Sequence, residues 1–348
     1  MIRRRPAARA TGAAIVAAIV GLIVVGSAGP AAAHAVLEAT EPAAGVSLER
    51  SPDEIVLRYT EAVDLSAASV RVFDARGDQV ETGALAHAAG DPTAARLAVG
   101  GLGDGAYAVT WRVTSADGHP ISGAFTFAVG DAAAATDTEG LAARLLADEG
   151  GSASLGAVYA VVRFLAFTAV LLVIGGCAYF VVIAPSGHAS RATRSGLTAA
   201  LVVGVLTAVA AIGLQGAHAA GGGLADALSG DVVSDSLGTR FGRASLVRAA
   251  ALLLLVPLLG AIRRRSTAIG RAPAALGALG SVVALGTFAA AGHASTGRWV
   301  AVAFAADVVH LGAAALWFGG VVVLALAIMP RDVVIRATEA RVALARFS

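Results

Sequence analysis

The sequence predicts a two-part protein: an all-β antiparallel Greek-key sandwich, exported from the cytoplasm, followed by an all-α polytopic membrane domain. Three observations predict it. Of the 348 residues, 57% are hydrophobic and only 14% charged, whereas soluble domains carry about 25% charged residues. Apolar alternation of period two falls almost wholly before residue 130, and such alternation marks half-buried strands. Past residue 155 the chain passes through apolar stretches near the ~20 residues that cross a bilayer as helix. The net charge of +2 argues against a nucleic-acid-binding surface, so the expected large partner is the lipid bilayer.

The elements follow in order. Arg3, Arg4, Arg5 and Arg9 form a positive leader, residues 13–25 an apolar run, and Ala31-x-Ala33 a small-residue cleavage site. Residues 1–33 therefore read as a secretory signal peptide, with His34 as the mature N-terminus; an uncleaved anchor helix and a cut after Ala28 are the alternatives. Within 34–130, Ile55, Leu57 and Tyr59 alternate, as do Val70 and Val72. Tyr107, Val109, Trp111 and Val113 form a longer series, and Phe125, Phe127 and Val129 another. Turn signals separate them at Ser51-Pro52-Asp53, Gly90-Asp91-Pro92 and Gly103-Asp104-Gly105. Short strands at this spacing suit a sandwich. Residues 131–154 read as a linker with one helical turn at 141–146.

Five spans are expected at about 156–184, 196–219, 244–262, 273–292 and 300–329. Arg191 and Arg194, then Arg263, Arg264, Arg265 and Arg271, then Arg331, Arg336, Arg341 and Arg346 fall on one side. Basic loops stay inside, so the sandwich lies outside. Arg240, Arg243 and Arg248 run against that rule, and Asp226, Asp231 and Asp235 are their expected partners. Cys177 is the single cysteine, which excludes an internal disulfide.

Two groups of residues carry chemistry. A cut after Ala33 gives His34 a free α-amine beside its imidazole, a nitrogen pair that suits Cu(II). Near the end of the strand series Asp117-Gly118-His119-Pro120 forms a bent loop, with Asp117 and His119 two residues apart. In the spans, Gln215, His218, His293, Asp307 and His310 all fall near the outer ends. Asp307 and His310 are three apart, hence neighbours on a helix. An ionised Asp at a span centre costs about 2.5–3.5 kcal/mol on insertion scales, so its presence calls for a function.

His34-Ala-Val-Leu37, Glu54-Ile-Val-Leu-Arg-Tyr-Thr-Glu61 and Ser115-Ala-Asp-Gly-His-Pro120 together resemble the bacterial copper-resistance protein family CopC, over essentially all of 34–130. The resemblance implies Cu(II) held by His34, Asp117 and His119, with Glu61 as a lesser candidate near the metal. The only methionines are Met1 and Met329, so the methionine-rich Cu(I) site of some members is not expected. Gly292-His-Ala294 and Asp307-Val-Val-His310, continuing to Trp317-Phe-Gly-Gly320, resemble the CopD membrane family over roughly 155–348. Fused CopC-like and CopD-like segments are what the whole chain resembles, and that family usually continues into further spans beyond the point where this sequence stops. The resemblance implies a non-enzymatic copper importer, with His218, His293, Asp307 and His310 on the membrane path. A copper chaperone outside the membrane is the expected donor. A haem-binding membrane protein and a copper monooxygenase with an N-terminal histidine are the alternatives.

Overall fold

The computed structural model describes residues 35–116, 118–130, 138–148, 152–184, 189–264, 269–295 and 299–328. The expected signal peptide, His34 and Asp117 lie outside them, and of His293 only the backbone is described.

Alternation becomes a two-sheet sandwich. The strands are β1 (Leu37–Glu41), β2 (Ser47–Leu48), β3 (Glu54–Tyr59), β4 (Val63–Asp74), β5 (Gln79–Val80), β6 (Thr82–Ala88), β7 (Asp91–Val99), β8 (Gly105–Ser115) and β9 (Pro120–Val129). One sheet has the order β1-β3-β7-β6, the other β2-β9-β8-β4-β5. The alternating residues fill the space between the sheets: Ile55, Leu57, Val72, Val109, Val113 and Phe127 are all buried there. The Trp111 ring meets Tyr59 edge-on at 5.5 Å. β8 and β9 pair Trp111 with Gly123, and a Cβ at Gly123 would collide with the indole. That glycine is there to admit the ring.

The sandwich departs from a wholly antiparallel arrangement at one edge, where β2 pairs in parallel with β9. β2 is two residues long, and the chain around it is docked by Gly45 N–H to the Thr126 carbonyl (2.7 Å) and Ala128 N–H to the Val46 carbonyl (2.9 Å). A segment so short follows whichever edge donors lie free.

β8 does not follow the half-buried pattern that its sequence implies. Its outward residues Ala106, Ala108, Thr110 and Arg112 are as buried as its core residues. Helix α1 (Thr138–Asp148) covers part of that face, packing on β8 and β9 with Ala142 buried. The expected linker with a single helical turn therefore contains an 11-residue helix. It forms because a sheet face lies ready to pack its apolar side, where Ala142 is buried and the leucines half-buried.

The helical half comprises α2 (Ala153–Ala178, extended by a π turn at Tyr179–Ile183), α3 (Arg191–Ala219), α4 (Gly230–Gly238), α5 (Arg240–Leu253), α6 (Val256–Arg263), α7 (Arg271–Ala290) and α8 (Val300–Ile328). Ser152, Ser190 and Thr239 cap α2, α3 and α5, each accepting the backbone N–H three residues on. Among the described residues, five helical segments are long and apolar enough to cross a membrane: Ala153–Ile183, Arg191–Ala219, Arg240–Arg263, Arg271–Ala290 and Val300–Leu326. These are the five expected spans, and they make this a multi-pass membrane protein. Their core joins Val170, Val173, Leu197, Leu252, Leu255 and Leu285. α2 and α8 approach so closely that a Cβ at Gly175 would collide with the Ala315 carbonyl, the small-residue packing that lipid-embedded helices use.

Candidate metal centre

The described backbone draws the expected ligands' neighbours into one row. At the start of β1, Val36 N–H donates to Thr60 Oγ1 (3.0 Å) and Thr60 N–H to the Val36 carbonyl (2.9 Å). Two residues on, Ala116 N–H donates to the Ala62 carbonyl (3.0 Å). Across the turn, Ser115 N–H donates to the His119 carbonyl (2.9 Å) and Gly118 N–H to the Ser115 carbonyl (2.8 Å). The residues that flank His34, Glu61 and Asp117 are thus tied to one another at one end of the sandwich. Gly118 has φ +86°, a left-handed conformation that glycine takes without strain. Ala35 is 3% exposed and packs in the sandwich core. Burial pushes the Tyr59 phenol above its usual range, so it stays protonated beside this end.

The turn faces the helical half. Gln215 of α3 donates its amide to the Gly118 carbonyl at 2.6 Å. Arg112, 7% exposed, donates from Nε to the Ala219 carbonyl and from a terminal nitrogen to the His218 carbonyl, both at 2.7 Å. Those carbonyls lie in the last turn of α3, where i+4 partners run out; that of His218 also accepts the Gly221 N–H at 3.3 Å. A guanidinium there also meets the negative end of the helix dipole.

His119 is half-buried and borders two cavities. The first, about 340 Å³, joins His119 to His218, Gln215, Tyr159 and Arg163. The His218 and Tyr159 rings lie 5.5 Å apart, tilted by 39°. The second, about 330 Å³, joins His119 to Asp307, Arg163 and Arg248. Ala291, Gly292 and Ala294, next to His293, line it too.

His119, His218 and Asp307 therefore line two cavities that share His119 and Arg163 in their walls, whereas His310 does not. It is exposed on α8 and lines neither cavity. The helix explains the separation: residues three apart point about 60° apart, while Leu311, four on from Asp307, lies about 40° away and does line the second cavity. Glu61 is half-buried in the row described above. Among the described residues no three of His, Cys, Asp and Glu stand close enough to hold a metal ion.

Sequence reasoning passed over Arg112, whose only sign was a charge inside an apolar alternation. It also mispaired the three outer arginines. Arg240 donates to Ser295 Oγ at 2.8 Å, Arg243 to the Thr239 carbonyl at 3.2 Å and Arg248 to Thr287 Oγ1 at 2.9 Å. None of them pairs with Asp226, whose carboxylate accepts the Gly223 N–H instead, or with Asp231 or Asp235. Helix packing and a turn claimed these groups first.

The fold and these contacts define a class: a small β-sandwich seated by its 115–119 turn on a multi-pass helical membrane domain. Residues 37–130 match the CopC domain and residues 153–301 the copper resistance protein D-like N-terminal domain. Copper transport protein CutJ of Bacillus subtilis (strain 168) is 26% identical over 300 residues, covering 84% of this chain and 53% of that protein. The chain thus spans about half of that relative's length. Protein YobA of Escherichia coli (strain K12) is 30% identical over 100 residues, 28% of this chain and 79% of that one. The crystal structure of CopC from Methylosinus trichosporium OB3b is 31% identical, covering 28% of this chain and 93% of that chain, with a TM-score of 0.27. The chain belongs to the CopC/CopD-like copper resistance and transport family, as a fusion of the two parts.

Proposed function

We propose that the sandwich captures Cu(II) outside the membrane and passes copper to the helical half for import. The observation that carries this reading is that His119 borders both cavities, one holding His218 and the other Asp307. In this reading residues 1–33 are removed as a signal peptide. The α-amine and imidazole of His34, the Asp117 carboxylate and the His119 imidazole then hold the ion, with Glu61 at the edge. Two imidazoles, an amine and a carboxylate form the N,O set that suits Cu(II). The amine, with a pKa of about 7.7–8 in model peptides, must lose its proton to bind, so affinity falls as the pH is lowered.

Residues 34–130 are the capture domain, 131–154 the connection and 155–348 the membrane domain, with the sandwich on the extracytoplasmic side. Copper, delivered by a chaperone there, leaves the sandwich through His119 and continues by way of His218, His293, Asp307 and His310. The test is a Cu(II) titration of the mature full-length protein, with intact mass to fix its N-terminus. His119→Ala is expected to weaken binding at least about 100-fold with the circular dichroism unchanged; unaltered affinity rejects the capture site. Asp307→Asn is expected to abolish copper accumulation in cells at unchanged Cu(II) affinity. Normal accumulation in both the Asp307→Asn and His310→Ala variants would make the membrane residues structural only.

A further inference from the structure

The second cavity holds more positive charge than a path for a metal cation requires. Its described polar groups are the guanidinium groups of Arg163 and Arg248, one carboxylate, Asp307, and the His119 ring. Arg248 is 4% exposed and spends a single donor, Nε, on Thr287 Oγ1 at 2.9 Å. Its guanidinium carbon stands 3.6 Å from the centre of the Phe288 ring, and Phe288 stacks on Phe167 at 4.3 Å. Arg163 lies 5.7 Å from the Tyr159 ring centre. Among the described residues neither arginine forms an ion pair with Asp307 or any other carboxylate.

A buried charge without a counter-ion is costly. An aromatic face offsets only part of that cost. The missing element is negative charge, in a space whose other walls are Phe167, Phe241, Phe288, Leu311 and alanines. Such walls do not solvate a bare inorganic ion. At about 330 Å³ the cavity is at the lower end of the ~300–1,000 Å³ that holds small organic ligands.

We propose that this cavity binds an oxyanion carried on an apolar body. The head group takes the guanidinium forks of Arg248 and Arg163, whose planar donors match a carboxylate or phosphate two to two. The body lies against Phe288, Phe167 and Leu311. A free aromatic carboxylate and the phosphate of a lipid headgroup share this chemistry. The proposal rests on the cavity alone and stands apart from the copper reading.

The test uses the full-length protein in dodecyl maltoside, stripped of lipid, with benzoate as the probe and benzamide as its neutral counterpart. Calorimetry is expected to show one benzoate site, with benzamide at least about tenfold weaker. Arg248→Gln is expected to lose at least about tenfold in benzoate affinity while its helical circular dichroism and thermal melt, which report an intact helical half, stay unchanged. Equal binding of benzoate and benzamide to the wild type overturns the proposal, whatever the variant does. So does an unchanged benzoate affinity in Arg248→Gln. Native mass spectrometry before lipid removal separates the sources. A retained phospholipid that benzoate displaces identifies the headgroup phosphate, benzoate binding without a retained lipid identifies a free anion, and neither species bound overturns the site.

Discussion

The interior of the sandwich and the seam where it meets the helices are held by different forces. Inside, buried side chains such as Ile55, Val72, Val109 and Trp111 remove apolar surface from water, a force that is strong and indifferent to angle. At the seam, a few directed hydrogen bonds run from side chains to backbone carbonyls: Arg112 to Ala219 and His218, and Gln215 to Gly118. The first kind of contact decides whether the sandwich exists. The second decides which way its turn points.

The largest effect is expected inside. Trp111→Ala leaves the space against Tyr59 and Gly123 unfilled and should destabilise the sandwich by about 3–5 kcal/mol, read from denaturant unfolding followed by circular dichroism. If it loosens the seam equally, interior and seam are one cooperative unit and the contrast fails. Arg112→Ala should cost the seam about 1.5–3 kcal/mol, the worth of hydrogen bonds to a charged group. Faster hydrogen exchange at residues 118–120 should report it while the sandwich melt barely moves. Gln215→Leu removes one neutral bond, about 1 kcal/mol, with the same exchange readout at smaller amplitude.

The smallest effect sharpens the interior from outside. The Asp91 carboxylate accepts from Thr93 Oγ1 at 2.7 Å and Thr93 N–H at 2.9 Å, and the Thr93 hydroxyl foremost holds its pKa below the usual carboxylate value. Its contribution is present above the unfolded value of about 3.9 and fades as pH falls through the lower folded value. A slight drop in the sandwich's melting temperature below about pH 4 should shrink in Asp91→Asn.

The same contrast explains what was legible. Tyr107, Val109, Trp111 and Val113 revealed β8 because burial on one face forces a period of two, and the spans declared themselves because lipid tolerates few charges. His218 and Asp307 were visible as polar residues at similar depth in the spans, and His119 by its place in the Asp-Gly-His turn. Arg112 was not, since its partners are main-chain carbonyls more than 100 residues away, and a carbonyl leaves no mark on the identity of its residue. Helix α1 was hidden for a related reason: Leu141, Leu145 and Leu146 are too few to announce a helix until a sheet lies beneath them. Asp307 lines the second cavity and His310, about 60° round the helix from it, does not, a difference that spacing alone does not reveal.

Helix α1 also limits how far the sandwich can stray. Eleven residues that would reach roughly 36 Å when extended cover only about 16 Å as helix. A shortened tether keeps the sandwich at an effective concentration on the order of millimolar beside the bundle. Breaking the Arg112 or Gln215 contacts will therefore not set it adrift. It will turn in place, and what is lost is aim rather than proximity.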